Sequence, residues 1–457
     1  MVRVFTPLAI VAILALSGCS GTPEESLRKE LRLKTSGVIQ LPAGIIEITT
    51  PLELTAGSHD LEMVGNGTLI KATSRFRGAA MIVVKGARHI RLRDFSLDGE
   101  RNTLAKPVEM VPPENALRVW YDNNGVLVDE ADDIEMVNLK FANVVNFAII
   151  ASRSSKVRIR GATVEDSGSR NKLGRNNLSG GILIEEGTKD FEVTNSDFKR
   201  ILGNGLWTHS LRTSPRLENG LFFGNRFDTI GRDALQVGHA TKVRVEKNTG
   251  TKIGYPVEIV DVENGGTPVG IDTAGNVDQS QYLSNTFDEI NGKCMDLDGF
   301  HDGQVKDNQC LNRLRPDDYA YGHFGIVMNN TDPSVLVRNI ELTGNVIDGT
   351  KYGGLFLMGS GHHVTGNRFN HLNTSKCPDS KAKFACVYAV EEPKMLQAGI
   401  YLGRGVARME SVTGNIIRDN EFIGHRMKAN CIVAGPGVSL ARNTIGKNDC
   451  SDEIERK

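Results

Sequence analysis

Short runs in which apolar and polar residues alternate recur along the whole chain, and a turn follows most of them. Residues 340–347 (Ile-Glu-Leu-Thr-Gly-Asn-Val-Ile) contain one such run, then a Gly-Asn turn, and then the start of the next run. Alternation with a period of two predicts short strands that bury one face. Because about three such strands fit into about 23 residues, the pattern predicts a solenoid of stacked parallel coils.

An asparagine follows many of these runs at a nearly constant spacing. The asparagines concerned are Asn225, Asn248, Asn285, Asn308, Asn345, Asn367, Asn420 and Asn443. Four of the intervals between them are 22 or 23 residues, and two are 37 residues. A fixed period of this length is typical of a solenoid. Since an amide side chain both donates and accepts hydrogen bonds, we expect a ladder of stacked asparagines rather than a set of unrelated turns.

Two segments resemble the right-handed parallel β-helix superfamily, which includes pectate lyases and polygalacturonases. Residues 36–44 (Ser-Gly-Val-Ile-Gln-Leu-Pro-Ala-Gly) resemble the opening of such proteins, and residues 90–99 resemble an early coil ending in Asp-Gly. The resemblance implies an all-β, right-handed, single-stranded parallel β-helix over residues 37–450, preceded by a short capping helix at residues 24–36 and followed by a polar tail at 451–457. It also implies a carbohydrate-active protein, because the superfamily contains hydrolases, lyases and epimerases besides non-enzymes.

The N-terminus is typical of an export signal. Its apolar run is too short to span a membrane and ends in Leu-Ser-Gly-Cys at residues 16–19, which resembles the bacterial lipobox. The resemblance implies a signal peptide at residues 1–18, lipidation of Cys19, and a tether at residues 19–23. Ser20 favours the outer membrane of a bacterial cell envelope, with the domain facing either the periplasm or the surface. An ordinary cleaved signal is the alternative.

Length and charge narrow the range of partners. The chain has 457 residues, which exceeds the usual size of one compact domain, but a solenoid has no such limit because each coil contacts only its neighbours. Its net charge is −1. We therefore expect no nucleic-acid partner, since nucleic-acid binding requires a strongly basic surface. The membrane is an expected partner through the lipid on Cys19.

Six cysteines remain after Cys19. An even number in an exported protein favours disulfides. Pairing between cysteines close in sequence is the simplest expectation, which gives Cys294 with Cys310, Cys377 with Cys386, and Cys431 with Cys450. A zinc site is the alternative, although no Cys-x-x-Cys or paired-histidine spacing supports it.

The strands that begin with glycine place a column of residues on their outer face. This column reads Leu183, Trp207, Gln236, Asp272, Asp296, Val327, Phe356, Tyr401 and Val433. A second outward column reads Glu185, His209, Gly238, Ala274, Asp298, Asn329, Met358 and Gly403. The long insertions 166–180, 249–268, 312–323 and 373–398 all precede these strands. They predict a wall that turns the sheet face into a groove, and an extended polysaccharide is the expected occupant.

Aromatic and polar residues along this groove are candidate substrate contacts. Trp207, Phe356 and Tyr401 could each stack on a sugar ring, or each could pack under the insertions. The insertion at 312–323 adds charged and aromatic side chains that would overhang the centre of the groove. The full set of predicted substrate contacts is Trp207, Gln236, Arg315, Tyr321, His323, Asn329, Phe356 and Tyr401.

The centre of the groove is acidic. Asp272 and Asp296 are expected on adjacent coils, where two like charges about 5 Å apart repel and the pKa of one must rise. Nearby carboxylates and imidazoles complete the candidate acids and bases. The predicted catalytic residues are Asp233, Asp272, Asp296, Asp298, His301 and His209.

Three functions remain open for this groove. Glycoside hydrolysis would use Asp296 as the acid, with Asp272 or Asp233 as the base, and would need no cofactor. A lyase or C5-epimerase acting on a uronate polymer would use Arg232, Lys293, His209 or His301 as the base. In that case Ca²⁺ could bind Asp272, Asp296, Asp298 and Asp302. The third function is carbohydrate binding, or a structural role, without catalysis.

Overall fold

Three short strands per coil wind the chain into a right-handed parallel β-helix, as the alternating pattern predicts. The computed structural model describes residues 21–262, 266–322, 324–379, 386, 392, 394–405 and 408–453. The predicted signal peptide, the lipidation site Cys19 and the predicted contact His323 lie outside these residues. No helix in the described part of the chain is both long enough and apolar enough to cross a membrane.

Helices are few and short. They are α1 (Pro23–Leu33), α2 (Arg101–Leu104), α3 (Leu117–Trp120) and α4 (Met427–Asn430), with 3₁₀ turns at Val257–Ile259, Pro316–Asp318, Met395–Gln397 and Leu440–Arg442. The helix α1 caps the first coil by burying Leu27 and Leu31. It begins one residue before the predicted start and ends three residues before the predicted end. A capping box between Thr22 and Glu25 fixes its beginning.

The described strands follow one another in a regular order. They are β1 (Gly37–Gln40), β2 (Gly44–Ile48), β3 (Leu52–Leu54), β4 (His59–Val64), β5 (Thr68–Ala72), β6 (Ala80–Lys85), β7 (Arg88–Arg93), β8 (Ser96–Asp98), β9 (Asn124–Asp129), β10 (Asp132–Val137), β11 (Lys140–Ala142), β12 (Phe147–Ser152), β13 (Ser155–Arg160), β14 (Thr163–Glu165), β15 (Gly180–Glu185), β16 (Lys189–Thr194), β17 (Asp197–Ile201), β18 (Asn204–His209), β19 (Leu217–Phe223), β20 (Arg226–Ile230), β21 (Leu235–Glu246), β22 (Thr249–Ile253), β23 (Val269–Asp278), β24 (Gln281–Leu283), β25 (Thr286–Ile290), β26 (Lys293–Asp298), β27 (Phe300–His301), β28 (Gln304–Lys306), β29 (Gln309–Leu311), β30 (Ile326–Asn329), β31 (Glu341–Thr343), β32 (Val346–Asp348), β33 (Leu355–Leu357), β34 (His363–Thr365), β35 (Arg368–Leu372), β36 (Ile400–Leu402), β37 (Ile416–Arg418), β38 (Glu421–Gly424), β39 (Ile432–Ala434), β40 (Thr444–Ile445) and β41 (Asp449–Asp452).

These strands build three faces around one apolar interior. Face 1 contains β3, β6, β9, β12, β15, β18, the first part of β21, β23, β26, β30, β33, β36 and β39. Face 2 contains β1, β4, β7, β10, β13, β16, β19, the second part of β21, β24, β28, β31, β34, β37 and β40. Face 3 is a separate sheet of 14 strands that begins with β2 and ends with β41. Aromatic rings stack inside the coils, as in Phe198 on Phe227 with ring centroids 5.0 Å apart.

The glycines that open many strands of face 1 have a packing reason. A Cβ atom on Gly205 would lie 2.6 Å from the carbonyl oxygen of Ala234 and 2.6 Å from the ring of Phe227. Both distances are below contact, so any side chain there would displace the next coil or the interior aromatic ring.

A ladder of buried asparagines follows the corner between face 2 and face 3. In each rung a side-chain oxygen accepts hydrogen bonds from the backbone N–H and the side-chain amide of the previous asparagine. For example, Asn285 Oδ1 accepts from Asn248 at 3.0 and 2.9 Å. The rungs are Asn225, Asn248, Asn285, Asn308, Asn345, Asn367, Asn420 and Asn448. The prediction of Asn443 as the last rung is wrong, because Asn443 accepts a hydrogen bond from Asn415 at another corner.

Three disulfides join cysteines that are close in sequence, all in the second half of the chain. They connect Cys294 with Cys310, Cys377 with Cys386, and Cys431 with Cys450. These are the predicted pairings, and they leave none of the six cysteines for the alternative zinc site.

The ladder generates a stability prediction. Asn285 has no exposed surface, and its amide also donates to Val245 O at 2.9 Å. Asn285→Ala should lower the free energy of unfolding by about 3 kcal/mol, because it leaves several buried polar groups of adjacent coils without partners. Urea unfolding followed by circular dichroism measures the loss. The matched control is Asn66→Ala, because Asn66 is exposed at the same type of corner. An equal effect of the two substitutions would contradict a structural role for the ladder.

Candidate functional site

The outward residues of face 1 form one continuous column. The backbone pairings join Leu183, Trp207, Gln236, Asp272, Asp296, Val327, Phe356, Tyr401 and Val433 in that order. This is the column predicted from the alternation. On the inward side of the same strands, Met295 pairs with Ile271 and with Ile326.

Loops that precede face 1 form a first wall beside this column. They are residues 99–123, 166–179, 254–262 and 312–322. The backbone N–H of Val108 donates to Arg170 O at 3.0 Å, and that of Asn176 donates to Ile259 O at 2.6 Å. These bonds join the first three loops over several coils. The insertions predicted at 166–180, 249–268 and 312–323 form this wall in their described parts, whereas much of the predicted insertion at 373–398 lies outside the described residues. The loop at 99–123, which carries α2 and α3, extends the wall further than predicted.

Loops that follow face 1 form a second wall on the other side. They are residues 210–216, 330–338, 403–405 and 408–412. Arg212 donates to Thr331 O at 3.4 Å, and the backbone N–H of Val337 donates to Glu410 Oε2 at 3.0 Å. The column therefore lies on the floor of a groove with two walls.

The aromatic ends of the groove floor are covered. Trp207 is 5% exposed and packs against Phe147, with ring centroids 6.4 Å apart, beneath the loop at 99–123. Phe356 and Tyr401 are 4% and 1% exposed and stack on each other at 6.0 Å. The prediction that these three rings stack on sugars is therefore wrong for this structure. The alternative holds, because the loops pack directly on the outward side chains.

The middle of the groove floor brings two carboxylates together. Asp272 and Asp296 are register partners on β23 and β26, and they are 9% and 8% exposed. Asp272 Oδ2 accepts a hydrogen bond from Gln236 Nε2 at 2.6 Å. Asp296 Oδ2 accepts from the Lys293 ammonium at 2.5 Å, whereas Asp296 Oδ1 is buried without a hydrogen-bond partner.

Asp233 is the third acidic residue of this centre. It lies just before β21 and is 4% exposed. Its Oδ1 accepts the backbone N–H of Val269 at 2.9 Å, which ties it to the start of the strand that carries Asp272. Its own backbone N–H donates to Asn204 Oδ1 at 3.2 Å. Asp233, Asp272 and Asp296 thus converge, as the sequence predicted, with Gln236 between two of the coils.

Burial sets the electrostatics of these carboxyls. It raises the pKa of Asp272 well above the usual range, and the negative charges of Asp233 and Asp296 add to the rise. Burial raises the pKa of Asp233 to about 6, although Arg232 and Lys293 oppose the rise. The neutral form of Asp272 is therefore favoured, while the Lys293 ammonium neutralises the charge of Asp296.

Asn204 lies at this centre and was not predicted as a site residue, whereas Arg232 and Lys293 were predicted only as candidate bases of a lyase or epimerase. Asn204, Asp233 and Lys293 each lie three residues before the outward column, at the mouth of their strands. Polar residues recur at that offset on three of four coils, with Val269 on the coil of Asp272, and this recurrence is a signal that the sequence contains. Counting only alternate positions along each strand passes over it.

Asp298 anchors the second wall. Its carboxylate accepts hydrogen bonds from the backbone N–H of Thr331 at 2.6 Å and from the Thr331 hydroxyl at 2.5 Å. Burial raises its pKa, and these hydrogen bonds oppose the rise. Asn329, its register partner, accepts the backbone N–H of Asn330 at 2.9 Å. Both predicted residues therefore hold the loop at 330–338 beside the acidic centre.

The two predicted histidines lie outside the acidic centre. His301 pairs with Asp278 beyond the corner, and its ring contacts Asp302 at 2.8 Å and Asn276 at 3.2 Å. His209 lies three coils before Asp298 and packs edge-on against Trp207, with ring centroids 5.3 Å apart. The prediction of these histidines as catalytic partners of the aspartates is wrong, because the glycine turn after β26 directs His301 to face 2.

The insertion predicted to overhang the centre contributes differently from expectation. Arg315 is 83% exposed at its side chain and pairs with Asp318 at 3.0 Å, so it does not reach the carboxylates. Tyr321 is half-buried, and its backbone N–H donates to Asn291 Oδ1 at 3.0 Å, two residues before Lys293. Tyr321 therefore lies at the mouth of the coil that carries Lys293.

The predicted calcium ligands do not gather in one place. Asp302 is bound by Asn339 at 2.7 Å and by Arg338 at 3.2 Å, away from Asp296. Among the described residues, one group of three acidic or histidine donors lies within 4.8 Å: Glu185, Glu186 and His209. Glu185 there caps the start of α3 by accepting the backbone N–H groups of Leu117 and Arg118. The aspartate arrangement therefore does not fit a four-ligand calcium site.

Comparison with known proteins supports the fold. The family described as right handed beta helix region matches residues 115–269. No curated protein matches the sequence. A tailspike protein mutant of the Escherichia coli bacteriophage HK620, in complex with a hexasaccharide, is 10% identical, with 90% of this chain and 73% of that chain covered and a TM-score of 0.58.

Two further structures have different activities on the same fold. The family 28 exopolygalacturonase of Yersinia enterocolitica is 10% identical, with 76% of this chain and 72% of that chain covered and a TM-score of 0.53. The surface adhesin PfbA of Streptococcus pneumoniae is 15% identical, with 77% and 93% covered and a TM-score of 0.51. Since the fold is common to an enzyme and an adhesin, the comparisons establish that this chain is a right-handed parallel β-helix and leave its activity to the residues of the groove.

Proposed function

We propose that the protein is a glycoside hydrolase that cleaves a polysaccharide in the groove of face 1. One observation carries the proposal: two adjacent buried carboxyls lie in different environments. Asp272 lies next to two other carboxyls, whereas Asp296 has an ammonium on one oxygen and no partner on the other. A neutral and an ionised carboxyl side by side are what glycoside hydrolysis requires.

The environments assign the two roles. Asp272, in its neutral form, donates its proton to the glycosidic oxygen as the bond from that oxygen to the anomeric carbon breaks. A water molecule attacks the anomeric carbon, and its proton passes to the carboxylate of Asp296. This assignment exchanges the acid and base expected from the sequence, because Lys293 accompanies Asp296 and not Asp272. Asp233 lies beside the acid and raises the pKa of Asp272 by its charge.

The two walls suit an extended polymer rather than a small molecule. The groove runs along the stack of coils, and the acidic centre lies between the covered rings of Trp207 and Phe356. Polar side chains at partly exposed positions, including Gln236, Asn329 and Tyr321, are the proposed substrate contacts. The tailspike structure, which is a complex with a hexasaccharide, supports a saccharide as the ligand.

A lyase or epimerase acting on a uronate polymer is the second candidate. Two cationic residues, Arg232 and Lys293, act on the carboxyl of Asp233 from within the acidic centre. Either cation could neutralise a uronate carboxylate, which is the role that Ca²⁺ would otherwise fill. An unsaturated product would identify elimination. Activity that depends on added Ca²⁺ would favour a metal-assisted reaction.

The proposed neutral state of Asp272 has a consequence for stability. A carboxyl whose pKa is raised on folding contributes stability below its unfolded pKa of about 3.8, and this contribution is lost as the pH rises through the folded pKa. Asn mimics the neutral carboxyl. Asp272→Asn should therefore gain stability relative to the wild type by about 1.4 kcal/mol per pH unit over that window.

Urea unfolding of both proteins from pH 4 upward measures this difference. Asp190→Asn, at an exposed corner where Asp190 contacts Asn219, is the matched control and should show no such trend. A wild type that is more stable than Asp272→Asn at neutral pH would refute the proposed neutral state.

The proposed roles predict a loss of turnover. Asp272→Asn and Asp296→Asn should each reduce hydrolysis of the natural polysaccharide by about 10²–10⁴-fold, since each removes one proton transfer. The activity of the wild type should fall as the pH rises through the folded pKa of Asp272, because the acid is then ionised.

Screening a library of polysaccharides, with detection of released reducing ends, measures this turnover. The exposed variant Asp190→Asn is again the control and should retain full activity. Full turnover in Asp296→Asn would contradict the proposed site. Binding of a polysaccharide with no product released would replace hydrolysis by the non-catalytic function.

A further inference from the structure

We propose that Asn204 and Gln236 are positioning residues that hold the proton of Asp272 on Oδ1 rather than on Oδ2. Neither residue transfers a proton in the proposed reaction. Their catalytic meaning depends on the proposed hydrolase, but their effect on the protonation of Asp272 does not.

The argument begins at a backbone donor whose direction cannot be reversed. The N–H of Asp233 donates to the side chain of Asn204 at 3.2 Å, so Asn204 must present its oxygen there. Its nitrogen must then point the other way. Asn204 is 1% exposed, so the amide has no solvent to satisfy a reversed orientation.

The orientation of Asn204 fixes that of the Gln236 amide. Asn204 Nδ2 donates to Gln236 Oε1 at 3.0 Å, which fixes the oxygen of Gln236 towards Asn204. Gln236 Nε2 is therefore the atom that faces Asp272, and it donates to Asp272 Oδ2 at 2.6 Å. The chain of donors runs in one direction across three coils, from the backbone of Asp233 to one oxygen of Asp272.

This direction decides which oxygen of the neutral carboxyl carries the proton. An oxygen that accepts a short N–H hydrogen bond is the better place for the carbonyl oxygen, so the hydroxyl lies on Oδ1. A general acid must present its proton to the leaving oxygen in one defined position. Asn204 and Gln236 would thus keep the acid oriented without contacting the reacting atoms.

Other charged or titratable groups also act on Asp272. Asp233 acts from the turn before β21, Asp296, Asp298 and Lys293 from β26, and Tyr282 from β24 inside the solenoid. None of them is changed by substituting Gln236, so a titration shift in an uncharged Gln236 variant reports the chain of amides. Asn204→Asp also brings a carboxylate whose charge acts in the same direction.

Two substitutions break the chain at different points. Gln236→Leu removes the donor to Asp272 Oδ2. Asn204→Asp keeps the acceptor for the Asp233 N–H but has no N–H for Gln236. The Gln236 amide then turns, donates to the introduced carboxylate and presents its oxygen to Asp272. Both changes remove stabilisation of the ionised Asp272, so both should extend its neutral state to higher pH.

The experiment compares each background with the same background carrying Asp272→Asn, in urea unfolding over a series of pH values. The difference in stability rises with pH and levels off at the folded pKa of Asp272. We expect the levelling pH to move upward by about one unit in Gln236→Leu and in Asn204→Asp, the scale of one hydrogen bond to a charged group. Gln236→Met, which also lacks the donor and adds no charge, decides the matter if Gln236→Leu does not fold.

The matched control is Gln281→Leu. Gln281 also bridges two coils, by donating to Gln304 at 3.2 Å, but it lies on face 2 away from the acidic centre. Its levelling pH should equal that of the wild type. Unchanged levelling pH in both test variants would overturn the inference, as would an equal shift in the control.

The same data separate this inference from the proposed function. If hydrolysis is observed, the alkaline limb of its pH profile should move upward with the levelling pH in Asn204→Asp. If no polysaccharide is cleaved, the proposed function fails, while the unfolding data still decide whether the two amides orient Asp272.

Discussion

The register of parallel coils is the constraint on which the rest of this molecule depends. Strands of successive coils lie about 4.8 Å apart, so every residue is placed against its counterpart in the next coil. At one corner this register is favourable, because the side-chain oxygen of each asparagine accepts hydrogen bonds from the previous asparagine, as Asn285 accepts from Asn248. On the floor of face 1 the same register places Asp272 against Asp296, where two negative charges would repel. The same register therefore stabilises the asparagine ladder and brings two carboxyls into unfavourable proximity on face 1.

Two features reduce the repulsion between these carboxyls: a proton on Asp272 and the ammonium of Lys293 beside Asp296. Burial and neighbouring charge favour the neutral form of Asp272, and Lys293 neutralises Asp296 at 2.5 Å. Neither device is needed for folding alone, since apolar residues such as Val327 occupy the next position of the same column. A buried acidic pair in a column of mainly apolar and aromatic residues is thus better explained by chemistry than by stability.

Much of the fold could be predicted from period and alternation. These patterns gave the three strands per coil and the outward column, because both depend on local backbone geometry that repeats in every coil. The last rung of the ladder could not be predicted in the same way. Asn443 has the expected spacing of 23 residues, but α4 and a 3₁₀ turn lengthen the last coil, so Asn448 occupies the rung 28 residues after Asn420. Spacing identifies a rung only where coils have equal length.

The candidate site was predictable in position but not in detail. Alternation tells which side of a strand faces outward, but it does not tell whether a loop covers that side, as residues 99–123 cover Trp207. Similarly, the partner of Asp296 depends on how Lys293 turns at the mouth of its strand, which no periodicity encodes.

The central claim is that a neutral carboxyl and an ionised one lie side by side at Asp272 and Asp296. Infrared difference spectroscopy on protein with isotope-labelled aspartate tests it most directly, because a protonated carboxyl has its own carbonyl stretch. At neutral pH we predict one such band, which disappears in Asp272→Asn and persists in Asp296→Asn. Absence of the band in the wild type, or its persistence in Asp272→Asn, would contradict the claim.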